Sequence, residues 1–295
     1  MNINKEFDSK NVKDLLLDFY SKNFEKAHVS IELALHIIEI AWDKEIDIDQ
    51  KIRQLNRIYK KANTIADRTR VEIDLLDLIK LKENSNLLDI GANKLDLVNK
   101  LAAKHNSVTF TACDIIPQAN EFRFPDRSTY LQITSNQQIP LTDNSFDVIN
   151  IKFVLHHLEN DKEIDFMLSE VNRLLQEDGK LYIWEESFRE NIIDIDNTIE
   201  TNNNLGILTD YGLTQKFQLL SNTEKYQFIL VNDWIINAYN KHMPWTNMYK
   251  SWEKWIEIFS DKGFYNSKEY NLGLRLNGKV KQGINMLGEF IRHSR

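Results

Sequence analysis

A glycine-containing turn followed by a second carboxylate carries the strongest chemical signal in this sequence. Residues 86–99 read NLLDIGANKLDLVN, an apolar run that turns at Asp89 and Gly91 and resumes as a helical pattern. At the carboxyl edge of a parallel sheet, such a turn offers a ligand backbone N–H groups and a helix N-terminus. Asp114 lies 23 residues beyond Gly91, near the roughly 20-residue spacing at which an acidic side chain binds ribose hydroxyls. This spacing favours a cofactor site, with an ordinary βα connection and a capping aspartate as the open alternatives.

A second group of ionisable residues follows the next predicted strands. His156 and His157 come after the fourth strand, and histidine, with an ordinary pKa of about 6.5, can take a proton from a hydroxyl, acid or amine. Glu185 and Glu186 end the fifth strand, where we expect Glu185 to contact a substrate. Adjacent strand residues point to opposite faces, so no metal site is predicted. Structural histidines and carboxylates are the alternative interpretation.

Alternating strands and helices are predicted to position these side chains. The apolar residues Leu87, Leu88 and Ile90 indicate a buried parallel strand, and the spacing of Leu95 to Leu101 indicates a helix. Further strands are predicted at 107–113, 129–133, 146–153, 180–186, 264–272 and 282–292, with helices at 161–176 and 250–261. This alternation is typical of an α/β fold with a mostly parallel sheet.

Two segments lie outside that alternation. Residues 1–82 show three apolar helical stripes and a fourth helix at about 65–82, which we interpret as an N-terminal lid or dimer surface. Residues 187–262 are too long and too aromatic for a plain crossover, and we expect a helical lid there. Its non-periodic positions Tyr211, His242 and Trp245 are candidate substrate contacts.

The composition narrows the class of partner. The chain has 295 residues and a net charge of -7 with mixed signs, which argues against nucleic-acid binding. The single cysteine, Cys113, excludes an intrachain disulfide. No apolar leader or membrane-length segment is apparent, so we expect a cytoplasmic protein with no membrane partner, acting on a small molecule or short peptide.

The order of motifs resembles one family. The segments LLDIGAN, IPLTDNSFDVI, VLHHLEN and LLQEDGKLYIWEE, with Asp114 after the second strand, are similar to the class I S-adenosylmethionine-dependent methyltransferases. The resemblance covers residues 83–190 well and 250–290 loosely. It implies a seven-stranded, mostly parallel, doubly wound (Rossmann-like) sheet with an antiparallel last strand. The implied domains are a helical extension at 1–82 and a methyltransferase domain at 83–295 that includes the lid.

The resemblance also implies roles for the cofactor-facing residues. Asp89 would approach the methionine amino group of S-adenosyl-L-methionine, Gly91 would allow close contact, and Asp114 would hold the ribose hydroxyls. The remaining implied cofactor residues are Ala92, Asn93, Ile115, Ser135, Asn136 and Lys152. Asn93 stands where the family has a second glycine, and asparagine tolerates the left-handed backbone. Ser135 and Asn136 stand where a carboxylate commonly meets the adenine, and each has a side-chain oxygen that can accept.

The predicted reaction is methyl transfer to an oxygen or nitrogen of a small molecule or short modified peptide in specialised metabolism. His157 or His156 would be the base, and a homodimer would form through the N-terminal helices. A non-methylating binding or scaffolding member of the fold is the alternative, because Asn93 and Ser135–Asn136 depart from the family pattern. A nicotinamide-dependent oxidoreductase is a third hypothesis, although such an enzyme would be expected to show the complete G-x-G-x-x-G fingerprint.

Overall fold

The structure is a computed structural model that describes residues 8–66, 75–93, 95–117, 126–134, 136–237, 246, 248–276 and 284–292. The helices are α1 (Lys10–Lys26), α2 (Ile31–Trp42), α3 (Ile48–Ala66), α4 (Asp96–Lys104), α5 (Asp161–Leu174), α6 (Ile195–Asn204), α7 (Tyr211–Gln218), α8 (Asn222–Asn237) and α9 (Trp252–Asp261). The strands are β1 (Asn86–Ile90), β2 (Thr109–Asp114), β3 (Ser128–Gln132), β4 (Phe146–Lys152), β5 (Leu175–Glu186), β6 (Phe264–Leu274) and β7 (Ile284–Arg292). Short 3-10 turns occupy Leu75–Leu78 and Leu155–His157.

The strands form one seven-stranded sheet in the order β3-β2-β1-β4-β5-β7-β6. The strands β3, β2, β1, β4 and β5 run parallel, and the last strands are antiparallel, as predicted. The order reverses direction at β1, since β2 and β3 lie on one side of it and β4 on the other. In an open parallel sheet this switch point is where ligands bind, at the carboxyl ends of the strands.

The chain divides into two compact units, and the second carries most of the sheet. It comprises Asp74–Glu185, Trp252–Tyr270 and Met286–Arg295. The predicted core positions Trp252, Trp255 and Phe259 of α9 are fully buried, and the Phe259 ring lies 4.6 Å from that of Phe290 on β7. Helical spacing therefore placed this aromatic face correctly in the core.

The first unit is built from helices that are far apart in sequence. It comprises Met1–Ile73, Glu186–Ser251 and Asn271–Asn285. Helix α8 is buried around most of its circumference, and its Phe228 ring lies 6.1 Å from Phe19 of α1 and 5.3 Å from Phe217 of α7. Helices α1, α2 and α3 thus share one apolar interior with α7 and α8.

Two predicted elements are wrong in extent. The fourth helix, predicted at 65–82, is replaced after residue 74 by a 3-10 turn in which Ile79 N–H bonds to the Leu76 carbonyl. Lys80 N–H donates to the Tyr182 hydroxyl at 3.1 Å, so the backbone there is hydrogen-bonded to the sheet and not to a helix. The predicted helix at 161–176 ends at Leu174, where β5 begins.

Strand β5 also starts earlier than predicted. Leu175 pairs with Phe146, and the next paired residues are Lys180 and Val148, so the register shifts between them. Asp178 adopts a left-handed backbone with φ of 59°. The EDG segment at 177–179, predicted to precede the strand, is therefore an irregularity within it.

One arginine holds the segment that leads into β4. The Arg173 guanidinium on α5 donates to the carbonyls of Ile139 and Leu141 at 2.8 and 2.9 Å. It also pairs with Asp143 and Glu170, and Glu170 accepts from the Ile139 N–H at 2.9 Å. The family-like IPLTD segment is thus fixed to α5 by charge-assisted hydrogen bonds.

Candidate active site

The turn after β1 brings Asp89 and Gly91 together as predicted. Asp89 is 3% exposed, and its Oδ1 accepts a 2.7 Å hydrogen bond from Asn150 Nδ2 on β4. Gly91 has φ of 75°, and a Cβ there would lie 2.2 Å from Cγ2 of Val154. Only glycine therefore fits where the β1 turn meets the segment after β4.

Asp114 ties the two neighbouring loops to one carboxylate. Its Oδ2 accepts from Asn93 N–H at 2.7 Å, and its Oδ1 accepts from Ile116 N–H at 3.1 Å. Asn93 has φ of 43°, which confirms the left-handed conformation expected for this glycine substitute. Each carboxylate oxygen keeps acceptor capacity beyond its one backbone donor, so Asp114 can still bind hydroxyls.

Burial raises the pKa of the Asp89 carboxyl to about 7. The hydrogen bond from Asn150 and the charge of Lys152 oppose this rise, while the charge of Asp114 adds to it. A cation bound beside Asp89 would favour the ionised form. Near neutral pH, the protonation state of Asp89 therefore depends on the charge of the group that lies beside it.

The histidines lie on a 3-10 turn that a single carboxylate holds in place. Glu185 Oε1 accepts from the N–H groups of Val154 and Leu155 at 3.2 and 2.9 Å, and Glu185 Oε2 pairs with Nδ1 of His156. Glu185 and His156 are both buried, whereas His157 is partly exposed, with its ring centroid 4.0 Å from that of His156. The turn begins at Val154, the residue that touches Gly91.

The backbone is also strained just before this turn. Phe153, two residues before Leu155, adopts φ of 56°, a conformation that bulky side chains rarely take. Its N–H donates to the Trp184 carbonyl at 2.8 Å. Left-handed bulky residues of this kind persist where surrounding contacts fix them, and they concentrate at functional sites.

The other predicted site residues are more dispersed. Lys152 is exposed at the end of β4, with Nζ 5.2 Å from the centre of the Trp184 ring. Ala92 is buried in the glycine turn, and Ile115 is 58% exposed beyond Asp114. The loop residue Asn136 is exposed, and Tyr211 begins α7 in the first unit at 48% exposure.

Three predicted residues, Ser135, His242 and Trp245, lie outside the described residues. Within the described ranges, no three His, Cys, Asp or Glu side chains are grouped as they would be to hold a metal ion. The roles proposed for Glu185 and Tyr211 as substrate contacts stay predictions. In this structure the Glu185 carboxylate bonds the histidine turn.

Sequence reasoning missed Asn150 and Val154. Asn150 is fully buried in the middle of the apolar strand FDVINIKF, and it pairs in register with Asp89. A lone amide inside an apolar strand was the available signal, because a buried amide requires a partner. Nothing in the local sequence marks Val154, whose importance comes from its contact with Gly91.

Comparison with known proteins finds similarity to methyltransferases over the segment that carries this site. Residues 88–181, which span β1 to β5, match the family model described as a methyltransferase domain. The candidate methyltransferase YrhH of Bacillus subtilis (strain 168) is 25% identical over 142 residues, which are 43% of this chain and 76% of that protein.

Solved structures give weaker likenesses. Human N-acetylserotonin methyltransferase in complex with SAM is 13% identical with a TM-score of 0.49, covering 84% of this chain and 56% of that chain. The 1,6-didemethyltoxoflavin-N1-methyltransferase of Burkholderia thailandensis is 12% identical with a TM-score of 0.47, covering 82% and 87%. At these values the likenesses carry no argument about substrate.

Residues 88–181 thus form a methyltransferase domain. The family match, the curated relative and the sheet order together support a class I S-adenosylmethionine-dependent methyltransferase with S-adenosyl-L-methionine as the methyl donor. None of the described helices is both long and apolar enough to cross a membrane.

The residues at the switch point fit this cofactor. Asp114 has acceptor capacity for ribose hydroxyls, and Asp89 offers a buried carboxylate to a cationic amino group. Oδ1 of Asn150 is buried without a hydrogen-bond partner among the described residues, so the site has an acceptor to offer a ligand donor. Gly91 leaves the turn without a Cβ, so a ligand can approach its backbone closely.

The raised pKa of Asp89 predicts pH-dependent cofactor binding. Only the ionised carboxylate attracts the amino group of the ligand, so affinity for S-adenosylhomocysteine should rise by about tenfold between about pH 6 and pH 8. The contribution of Asp89 to the folding stability of the free protein has the opposite trend and falls as the pH rises from about 4 to 7. The reason is that the folded carboxyl binds its proton more tightly than the unfolded one.

Isothermal titration calorimetry across this pH range measures the effect. Asp89→Asn is the control, because it cannot ionise and should remove this part of the pH dependence while histidine titration remains. If affinity depends on pH in the same way in the wild type and in Asp89→Asn, the assignment of this dependence to Asp89 is wrong.

Proposed function

We propose that this methyltransferase acts on an oxygen or nitrogen of a small molecule or short modified peptide, in specialised metabolism. The observation that carries this proposal is the buried pair of His156 and Glu185 on a turn that begins against the cofactor turn at Gly91. A histidine oriented by a carboxylate is a suitable proton acceptor for a hydroxyl or amine nucleophile. The sequence favoured His157, whereas the carboxylate contact favours His156.

Bound S-adenosyl-L-methionine would supply an electrophilic methyl group on a sulfonium, which the nucleophile would take up with release of S-adenosylhomocysteine. Nδ1 of His156 faces Glu185, so the other ring nitrogen is the one that receives the proton of the nucleophile. Glu185 stabilises the resulting imidazolium and also fixes the Val154 and Leu155 amides.

A direct assay tests the reaction type. S-adenosylhomocysteine formation is measured with S-adenosylmethionine and a panel of phenols, carboxylic acids and amines as acceptors. We expect turnover with at least one oxygen or nitrogen nucleophile and none with apolar compounds that lack one. Turnover confined to carbon nucleophiles would contradict the proposal.

Replacing Glu185 with glutamine should reduce turnover by about 10²-fold while the affinity for S-adenosylhomocysteine stays within about threefold. The amide still accepts from backbone N–H groups, but it is neutral and cannot stabilise an imidazolium beside it. The measurement compares kcat and cofactor affinity in the two proteins.

Glu186→Gln is the matched control, since Glu186 is the next residue, is also buried, and points to the opposite face of the strand. Equal turnover in the Glu185 and Glu186 variants would refute a role for the His156–Glu185 pair. In that case positioning of the substrate would supply the rate.

The cytoplasmic location and the homodimer through the N-terminal helices stay predictions. Helix α2 leaves Ile31 and Leu35 48% and 44% exposed, one turn apart, which makes this helix the surface to test for self-association.

A further inference from the structure

Asp89 and Asn150 form a polar pair inside an apolar part of the sheet. They are register partners on the parallel strands β1 and β4, so they lie side by side. Their neighbours Leu88, Ile90, Ile149 and Ile151 are all buried and apolar. Asp89 is 3% exposed and Asn150 is 0% exposed. A carboxylate and an amide in such surroundings require defined hydrogen bonds.

The hydrogen bond between them fixes the orientation of the amide. Asn150 Nδ2 donates to Asp89 Oδ1 at 2.7 Å. When Asp89 is ionised, as a bound cation favours, rotating the amide by half a turn would place its oxygen against the carboxylate, two acceptors with no proton between them. The Asn150 oxygen is therefore held away from Asp89 Oδ1.

This orientation leaves one acceptor unused. Oδ1 of Asn150 is buried and has no hydrogen-bond partner among the described residues. Among the same residues, Asn150 is the one hydrogen-bond donor to the Asp89 carboxylate. Two oxygen acceptors, one of them charged, lie on neighbouring strands at the switch point of the sheet. Their complement is a cation with several N–H donors, a primary ammonium.

We infer that Asn150 is a further cofactor-binding residue, whose side-chain oxygen accepts from the α-ammonium group of S-adenosylmethionine while its NH₂ group holds Asp89 for the same ammonium. This inference rests on the cofactor assignment above and extends it to a residue within β4. Asn150 thereby recognises the amino-acid end of the cofactor, and the adenosine end does not contact it.

Two nucleosides that differ in that end test the inference. S-adenosylhomocysteine carries the ammonium, whereas 5′-methylthioadenosine has the same adenosine and sulfur without the amino-acid portion. Calorimetric dissociation constants are measured for both with the wild type and Asn150→Val. We expect Asn150→Val to weaken the binding of S-adenosylhomocysteine by about 10- to 50-fold, an order-of-magnitude range for a lost hydrogen bond to a charged group. The affinity for methylthioadenosine should stay within about twofold of the wild-type value.

Other outcomes overturn it in distinguishable ways. Equal weakening of both nucleosides means that Asn150 only supports the turn, and unchanged affinity for both means that its oxygen bonds a water or nothing. Failure of the wild type to bind S-adenosylhomocysteine contradicts the cofactor assignment itself.

Asn150→Leu is the second variant should the valine protein not fold, since leucine has nearly the shape of asparagine, has no hydrogen-bond acceptor and should show the same ligand-selective loss. Asp147→Ala is the matched control on the same strand, because Asp147 lies at the amino end of β4, where its Oδ2 accepts from the Asn86 N–H at 2.8 Å. It should not discriminate between the nucleosides by more than about twofold. Discrimination by Asp147→Ala as large as by Asn150→Val would refute a specific role for Asn150.

Discussion

Alanine at Gly91 is expected to weaken cofactor binding strongly and to destabilise the protein by roughly 2–5 kcal/mol. The new Cβ would lie 2.2 Å from Val154 Cγ2, and the φ of 75° is unfavourable for any residue with a Cβ. Relief of that contact requires the β1 turn or the histidine turn to move, and both border the proposed cofactor site. We expect affinity for S-adenosylhomocysteine to fall by at least about 10²-fold, as measured by calorimetry alongside thermal unfolding.

A second glycine separates the two causes of this loss. Gly206 has nearly the same φ, 71°, but a Cβ there would meet no atom within 4 Å. Gly206→Ala should therefore show only the conformational cost of about 1 kcal/mol and normal cofactor affinity. Val154→Ala combined with Gly91→Ala should recover part of the loss. Affinity within threefold of wild type in Gly91→Ala would show that the turn is not at the cofactor.

Alanine at Asp114 should weaken the binding of S-adenosylhomocysteine by about 10²- to 10³-fold, which corresponds to roughly 3–4 kcal/mol of binding free energy. The substitution removes the carboxylate expected to hold the ribose hydroxyls. It also frees the Asn93 and Ile116 amides, so both loops lose their common anchor. Asp114→Asn keeps an acceptor oxygen and should lose less affinity than alanine.

Asp147 provides a matched control for Asp114. Its Oδ2 accepts from the Asn86 N–H at 2.8 Å, so it is also an aspartate bound to a backbone amide. Asp147 and Asn86 lie at the amino ends of β4 and β1, opposite the expected cofactor edge. Asp147→Ala should lower stability without changing cofactor affinity. An equal loss of affinity in both variants would mean that Asp114 acts through folding alone.

The sequence predicted the sheet well because its signals are local. Buried runs such as Leu87–Ile90 and Val148–Ile151 specify parallel strands, and Gly91 marks the turn between strand and helix. The order of these elements along the chain then restricts the topology to few choices. The left-handed Asn93 was predictable for the same reason, since it depends on one backbone position.

Contacts between distant residues were not predictable in this way. Asn150 meets Asp89 across 61 residues, and Glu185 meets His156 across 29. Both contacts depend on strand register and on which face a side chain takes, and a one-residue shift would reverse that face. The sequence therefore identified Glu185 as a polar residue at the functional edge but not the histidine turn as its partner.

Asn93 has a consequence for how this family is defined. It replaces a glycine yet takes φ of 43°, and its N–H reaches Asp114 as the turn requires. The conformation of the turn is thus preserved while the residue that usually permits it is not. A signature written as letters with two obligatory glycines would exclude this chain, whereas one written as backbone angles and amide directions would include it.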